Sequence, residues 1–199
     1  MNRNRFTIAC LSLLIAPETS LAHSPIEGIG NFYNGLLHPV MVPAHLLLLT
    51  AVGIFLGQQG TKIFQTALAV FGLATVAGLV AAWFSAANET EAIILLLSAV
   101  TGLLIAIAPK VTLPLCAAIA LLAGFLLAID SAQEQLSGKD RFVSLFGSGI
   151  AIYLLVLYPM ALADYLNKKT WQKTGIRIVG SWIAASSFLV LALKFSPQA

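Results

Sequence analysis

Three histidines carry most of the chemistry this sequence offers, and all of them fall in its first quarter: His23, His38 and His45. Imidazole is the side chain most often found on a transition metal. An ionisable group in or beside an apolar segment is costly enough to mark a functional site by default. His38 and His45 are seven residues apart, close to two turns, so a regular helix sets them on one face but roughly 10 Å apart. One ion does not bridge that gap. Pro39 and Pro43 stand between them, however, and prolines interrupt helix geometry. A bent or unwound entrance at 38–45 brings the rings together or makes them successive stations. The plainer alternative has His38 as a polar cap at the water interface and His45 as a hydrogen-bonded residue between helices.

Two carboxylates are candidates to join them. Asp130 and Glu134 lie one helical turn apart at the end of an apolar block. A divalent cation needs fixed ligands in place of its hydration, and a carboxylate also offsets its charge where the dielectric is low. Asp130 and Glu134 supply that charge if the first and fourth apolar blocks touch; otherwise they belong to a solvated loop, since 130–140 is the most polar stretch of the chain. His23 adds an imidazole and, once freed by cleavage, an amino group.

The elements that must position these residues follow from composition. Of 199 residues, 59% are apolar and 10% charged, against roughly 45–50% and 25% in soluble domains. The mean hydropathy of +0.92 agrees. A soluble domain cannot house so much apolar surface, and a disordered chain would be far more polar. The expected class is an all-α, polytopic membrane protein. Arg3 and Arg5 precede an apolar stretch from Phe6 to Ala16, too short to span, with Pro17 and then Ser20 and Ala22 at the small-residue positions of a cleavage site. The sequence therefore predicts a signal peptide over 1–22. Residues 23–199 form the membrane domain, with six predicted spans at about 40–57, 62–84, 91–108, 111–129, 142–162 and 175–195. The lipid bilayer is the first expected partner, and no nucleic acid is expected.

Loop charge orients the six spans. Lys62, Lys110, Lys168, Lys169, Lys173 and Arg177 fall in the loops on one side, with Asp164 as the sole acid there. The other side holds Lys139, Arg141 and Lys194 with Glu27, Glu89, Glu91, Asp130, Glu134 and Asp140. Both termini are accordingly expected to be non-cytoplasmic. The basic cluster at 168–177 is a topology signal, with lipid headgroup binding as an added role. Cys10 leaves with the signal, and Cys116 is expected to be a small buried hydrophobe. An enzyme reading fails one test: Gly147-Ser148-Gly149 is similar to the serine segment of intramembrane rhomboid proteases, yet no histidine follows His45 to act as base. No phosphate-binding loop occurs either.

The run Gly35-Leu36-Leu37-His38-Pro39, then His45-Leu46-Leu47-Leu48 and Thr50-Ala51-Val52-Gly53, resembles the HupE/UreJ family. These are membrane proteins of hydrogenase and urease systems, regarded as nickel or cobalt permeases. The family pattern H-P-x-x-G-x-D-H is met by His38, Pro39 and His45, while Val42 replaces its Gly and Ala44 its Asp. A second pattern, H-G-x-A-H-G-x-E, corresponds to residues 127–134, where only Glu134 and small residues persist. The resemblance implies a multi-pass protein of the bacterial inner membrane with no permanently bound cofactor. It implies Ni2+ or Co2+ as the transported ion and hydrogenase or urease maturation machinery as a partner. The lost Asp and histidines favour the alternative of a non-transporting accessory protein that keeps the fold.

Overall fold

The computed structural model describes residues 28–84, 90–133 and 135–196. The expected signal peptide, His23 and Glu134 lie outside the described residues. Seven helices follow one another and no strand occurs among the described residues: α1 (Asn31–Met41), α2 (Pro43–Gln58), α3 (Thr61–Phe84), α4 (Glu91–Ile107), α5 (Leu113–Asp130), α6 (Gly138–Leu166) and α7 (Thr170–Phe195).

α3, α5, α6 and α7 are each long and apolar enough to cross a membrane, and α1 with α2 makes a fifth candidate if that bent pair is one span. α4 is apolar but has 17 residues. Its block ends early because Ala108 turns into the left-handed region (φ 54°) just ahead of Pro109, and a helix cannot continue through that pair. The described helices thus give four to five span candidates, where the apolar blocks alone predict six.

The first predicted span is not one rod. Val42 is extended (φ −93°, ψ 108°) and α1 meets α2 at 73°. Pro43 is the cause. The residue before a proline is pushed out of the helical region, while proline itself suits the first position of a new helix. Pro39 is accommodated inside α1.

α2 is the hub, packing against every other helix. Leu48, Leu49, Val52, Phe55 and Leu56 are fully buried, as expected of a helix apolar around its whole circumference. Around it, α3 pairs with α5, α4 with α7, and α6 with both α1 and α2. The pairing depends on backbones that nearly touch. A Cβ on Gly35 would stand 1.9 Å from the Ser144 carbonyl oxygen, and one on Gly147 2.3 Å from that of Phe32. Across the α4–α7 seam, Ser187 Oγ donates to Ser98 Oγ at 2.9 Å, both buried. Small residues and buried hydroxyls are what bring helices together in lipid, where burying apolar surface gains little.

Hydrogen bonds define two ends. At one, His45 meets Asp130, Thr90 meets Asp130, Arg141 donates to the Ala82 carbonyl, and Lys194 pairs with Glu91. At the other, Gln59 accepts from Val111 N–H at 3.1 Å and donates to the Pro109 carbonyl at 3.4 Å. This fastens the tight α4–α5 link. Arg177 Nε donates to the Ala106 carbonyl there at 2.7 Å.

The close seam gives a direct test. Gly35→Ala should destabilise the detergent-solubilised protein by about 1–3 kcal/mol, read as a lowered thermal midpoint. Gly72→Ala, whose Cβ would meet only the Tyr153 ring at 3.5 Å, should leave the midpoint within error. Equal midpoints for the two variants would contradict this account of the α1–α6 contact.

Candidate functional site

The break at Val42 folds α1 back over the start of α2, and this is what brings the two described histidines together. His38 is on the last turn of α1, and its carbonyl accepts the Val42 N–H at 3.1 Å. His45 is the third residue of α2. The ring centroids are 5.3 Å apart and nearly perpendicular, at 80°, about half the separation a continuous helix would impose. His45 is wholly buried and His38 is 4% exposed. The reading of His38 as a cap at the water interface is thereby corrected: its side chain is buried, and α1 continues upstream of it and packs on α6.

Asp130 reaches the same place from α5. Its Oδ2 lies 2.7 Å from His45 Nε2, with the carboxylate side chain 8% exposed. The first and fourth apolar blocks therefore touch at their ends, and Asp130 is the last residue of a helix rather than part of a solvated loop. A carboxylate at a helix C-terminus faces the partial negative charge of unpaired carbonyls, and here it has little water to screen it. Two donors answer this: His45 on Oδ2 and the Thr90 hydroxyl on Oδ1. Thr90 is the N-cap residue of α4, yet it makes no side-chain cap bond to its own helix. Its hydroxyl goes to Asp130 instead.

This contact fixes the chemistry of His45. A carboxylate oxygen accepts, so the contact is made with the hydrogen on Nε2, and Nδ1 is the ring nitrogen left on the other side. Nδ1 is buried with no hydrogen-bond partner among the described residues. A carboxylate that orients an imidazole from one nitrogen while the other faces a metal is a recurrent arrangement around bound ions. Further buried polar groups flank the histidines in sequence: Asn34, one turn before His38, and Ser131 and Gln133, just past Asp130. Among the described residues, no three of the His, Cys, Asp and Glu side chains are grouped so as to hold a metal ion. Of the candidate ligands, His45 meets both His38 and Asp130, while His23 and Glu134 are not among the described residues.

Thr90 was not singled out from sequence. A threonine immediately before an acidic first turn reads as a helix cap, and only the packing of α4 against α5 reveals its other use. Cys116 is fully buried in α5.

The family model for the HupE / UreJ protein matches residues 11–190. The chain belongs to the HupE/UreJ family. No curated protein and no solved structure matches it. This family is an accessory and transport type of membrane family, in keeping with the apolar helices.

Because both partners are buried, removing either one strands the other. Asp130→Ala and His45→Ala should each lower thermal stability, and the double variant should cost less than the two singles summed. The expected coupling is about 1–3 kcal/mol. Unfolding of the four proteins in one detergent gives the cycle, and strict additivity would mean the contact contributes nothing.

Proposed function

We propose that this protein carries a divalent transition-metal cation, nickel or cobalt, inward across the bacterial inner membrane, with His38 and His45 as its entry ligands. The observation that supports this most is the Asp130–His45 contact. It supplies a carboxylate to a family motif that has Ala44 where an Asp is usual. It also leaves an imidazole nitrogen available beside a second imidazole. Neutral imidazoles suit nickel and cobalt better than magnesium or calcium, which take oxygen ligands. In this reading the chain crosses the membrane six times, with α4 as a short span and α1 plus α2 as one broken span. The signal over 1–22 is removed, both mature termini face outward, and His23 and Glu134 complete the coordination at the outer mouth.

Broken helices are the usual place for ion sites at membrane depth, because unwound backbone is tolerated there only where it lines a polar cavity. The membrane potential supplies the drive. For a divalent ion moving inward it is worth about 4.6 kcal/mol per 100 mV, twice the single-charge value. ATP is then unnecessary. The delivered ion would serve hydrogenase or urease maturation.

A second reading has its own observation. Both Asp130 oxygens are engaged by protein donors, which is also what a latch between helix ends requires. Under that reading the protein is a non-transporting accessory that holds a partner.

Uptake of radiolabelled Ni2+ and Co2+ separates the two. Cells expressing the wild type should accumulate one of the ions above an empty-vector control, and His38→Ala and His45→Ala should reduce this to background at equal membrane abundance. Asp130→Asn keeps the shape but lacks the charge, and should lower uptake by about tenfold or more. Wild-type uptake at the control level would favour the accessory reading. Uptake that survives both histidine substitutions would remove the site.

A further inference from the structure

The end of the bundle away from the histidines has a groove that metal handling does not use. α6 and α7 are consecutive, joined by residues 167–169, but they pack mainly on other partners: α6 on α1 and α2, α7 on α4. They therefore diverge. The cleft between them has a volume of about 450 Å3, and Ile54 of the central helix forms part of its lining. Pro159 and Leu162 line one wall, Gly175 and Val179 the other. Nothing lies within 4 Å of where a Gly175 Cβ would be, so the groove is open beside it.

Chemistry changes abruptly at the loop end. Trp171 and Tyr158 stand at the groove with 70% and 68% exposure, as interfacial aromatic residues do. Lys168, Lys169 and Lys173 are exposed within six residues of one another, and Lys168 Nζ sits 4.9 Å from the centre of the Tyr165 ring. Neither these lysines nor Asp164 lines the apolar slot itself; the lysines flank in sequence Trp171 and Gln172, which do. Arg177 is already engaged with the α4 carbonyl end. An apolar slot between two membrane helices, with three exposed lysines beside its loop end, matches one kind of molecule in both halves.

We propose that the α6–α7 groove binds an anionic diacyl phospholipid, with its phosphate on Lys168, Lys169 and Lys173 and one acyl chain lying past Pro159 and Gly175. Basic pockets between membrane helices hold acidic lipid headgroups in this way. A soluble phosphate compound has no use for the slot, and a zwitterionic lipid gains nothing from the three lysines. The assignment is independent of metal transport, since the groove and the histidines are at opposite ends.

Native mass spectrometry of the full chain, released from nanodiscs of equal phosphatidylglycerol and phosphatidylcholine, reads the site directly. Wild type should retain phosphatidylglycerol over phosphatidylcholine. Replacing the three lysines together (Lys168→Ala, Lys169→Ala, Lys173→Ala) should cut that preference about tenfold or more. Gly175→Leu fills the slot where there is room for it, and should abolish the retained lipid while helicity and elution stay those of wild type. Glycerol 3-phosphate in excess should not displace the lipid. Equal retention of the two lipids by wild type, unchanged retention in both variants, or displacement by glycerol 3-phosphate would each overturn the proposal. Replacement of the lipid by a co-purifying polypeptide in the groove would overturn it too.

Discussion

A carboxylate placed at the C-terminal end of an apolar helix and shut away from water must be met by donors, and the upper half of this bundle is arranged around that demand. Asp130 receives one hydrogen bond from His45 at the start of α2 and another from Thr90 at the start of α4. Helix starts are the favourable side for negative charge, so three helix termini converge where their end charges complement one another. α1 joins them through the Val42–Pro43 break, which returns His38 to the same spot. The register of α2 against α5 follows from this contact, since sliding either helix by a residue would part Nε2 from Oδ2 by more than a hydrogen bond tolerates.

Among the described residues, the other ion pair, Lys194–Glu91, lies at the same end and is more exposed. Below the histidines, helices are held by backbone proximity and by small hydroxyl contacts such as Ser98–Ser187. At the far end they are held by amides, with Gln58 and Gln59 reaching carbonyls on α4 and its following turn. This gradient matters for function. The buried polar contacts gather around Asp130, and the weakest helix pairing, between α6 and α7, sits where the lysines and the open groove are. One end is built to hold polar groups in fixed geometry; the other leaves room at its side.

Most of the helices were legible in the sequence because hydropathy alone specifies them. The blocks at 62–84 and 111–129 reappear as α3 and α5 within two residues at either end. The first predicted span begins at about 40, so most of α1 falls outside the predicted spans. Asn31–Met41 contains Asn, Gly, His and Pro, which are poor helix formers, and its helicity rests on contact with α6 at Gly35 and Gly147. No property of the eleven residues themselves announces that contact. The same holds for the site. His38, His45 and the proline break are local features and could be read off; the burial of Asp130 could not, because it is the first polar residue of a polar stretch and only α2 and α4 take it out of water. Thr90 was hidden for the converse reason, since its local role as a cap was a sufficient explanation by itself.

Moving the carboxylate from position 44 to position 130 changes what it can do. Neighbouring residues on a helix point about 100° apart, so an Asp at 44 would stand beside His45 rather than in line with its ring. Asp130 instead meets the ring at Nε2, along the axis that sets the tautomer. An adjacent anion lowers the cost of bringing in a cation; an in-line anion fixes the orientation of the ring and which nitrogen faces away from it. The first effect is local and survives any helix rearrangement. The second depends on α2 and α5 staying together, so it is sensitive to anything that shifts one past the other. In this chain the carboxylate beside His45 is therefore a property of the packed bundle, held only while the ends of α2, α4 and α5 meet.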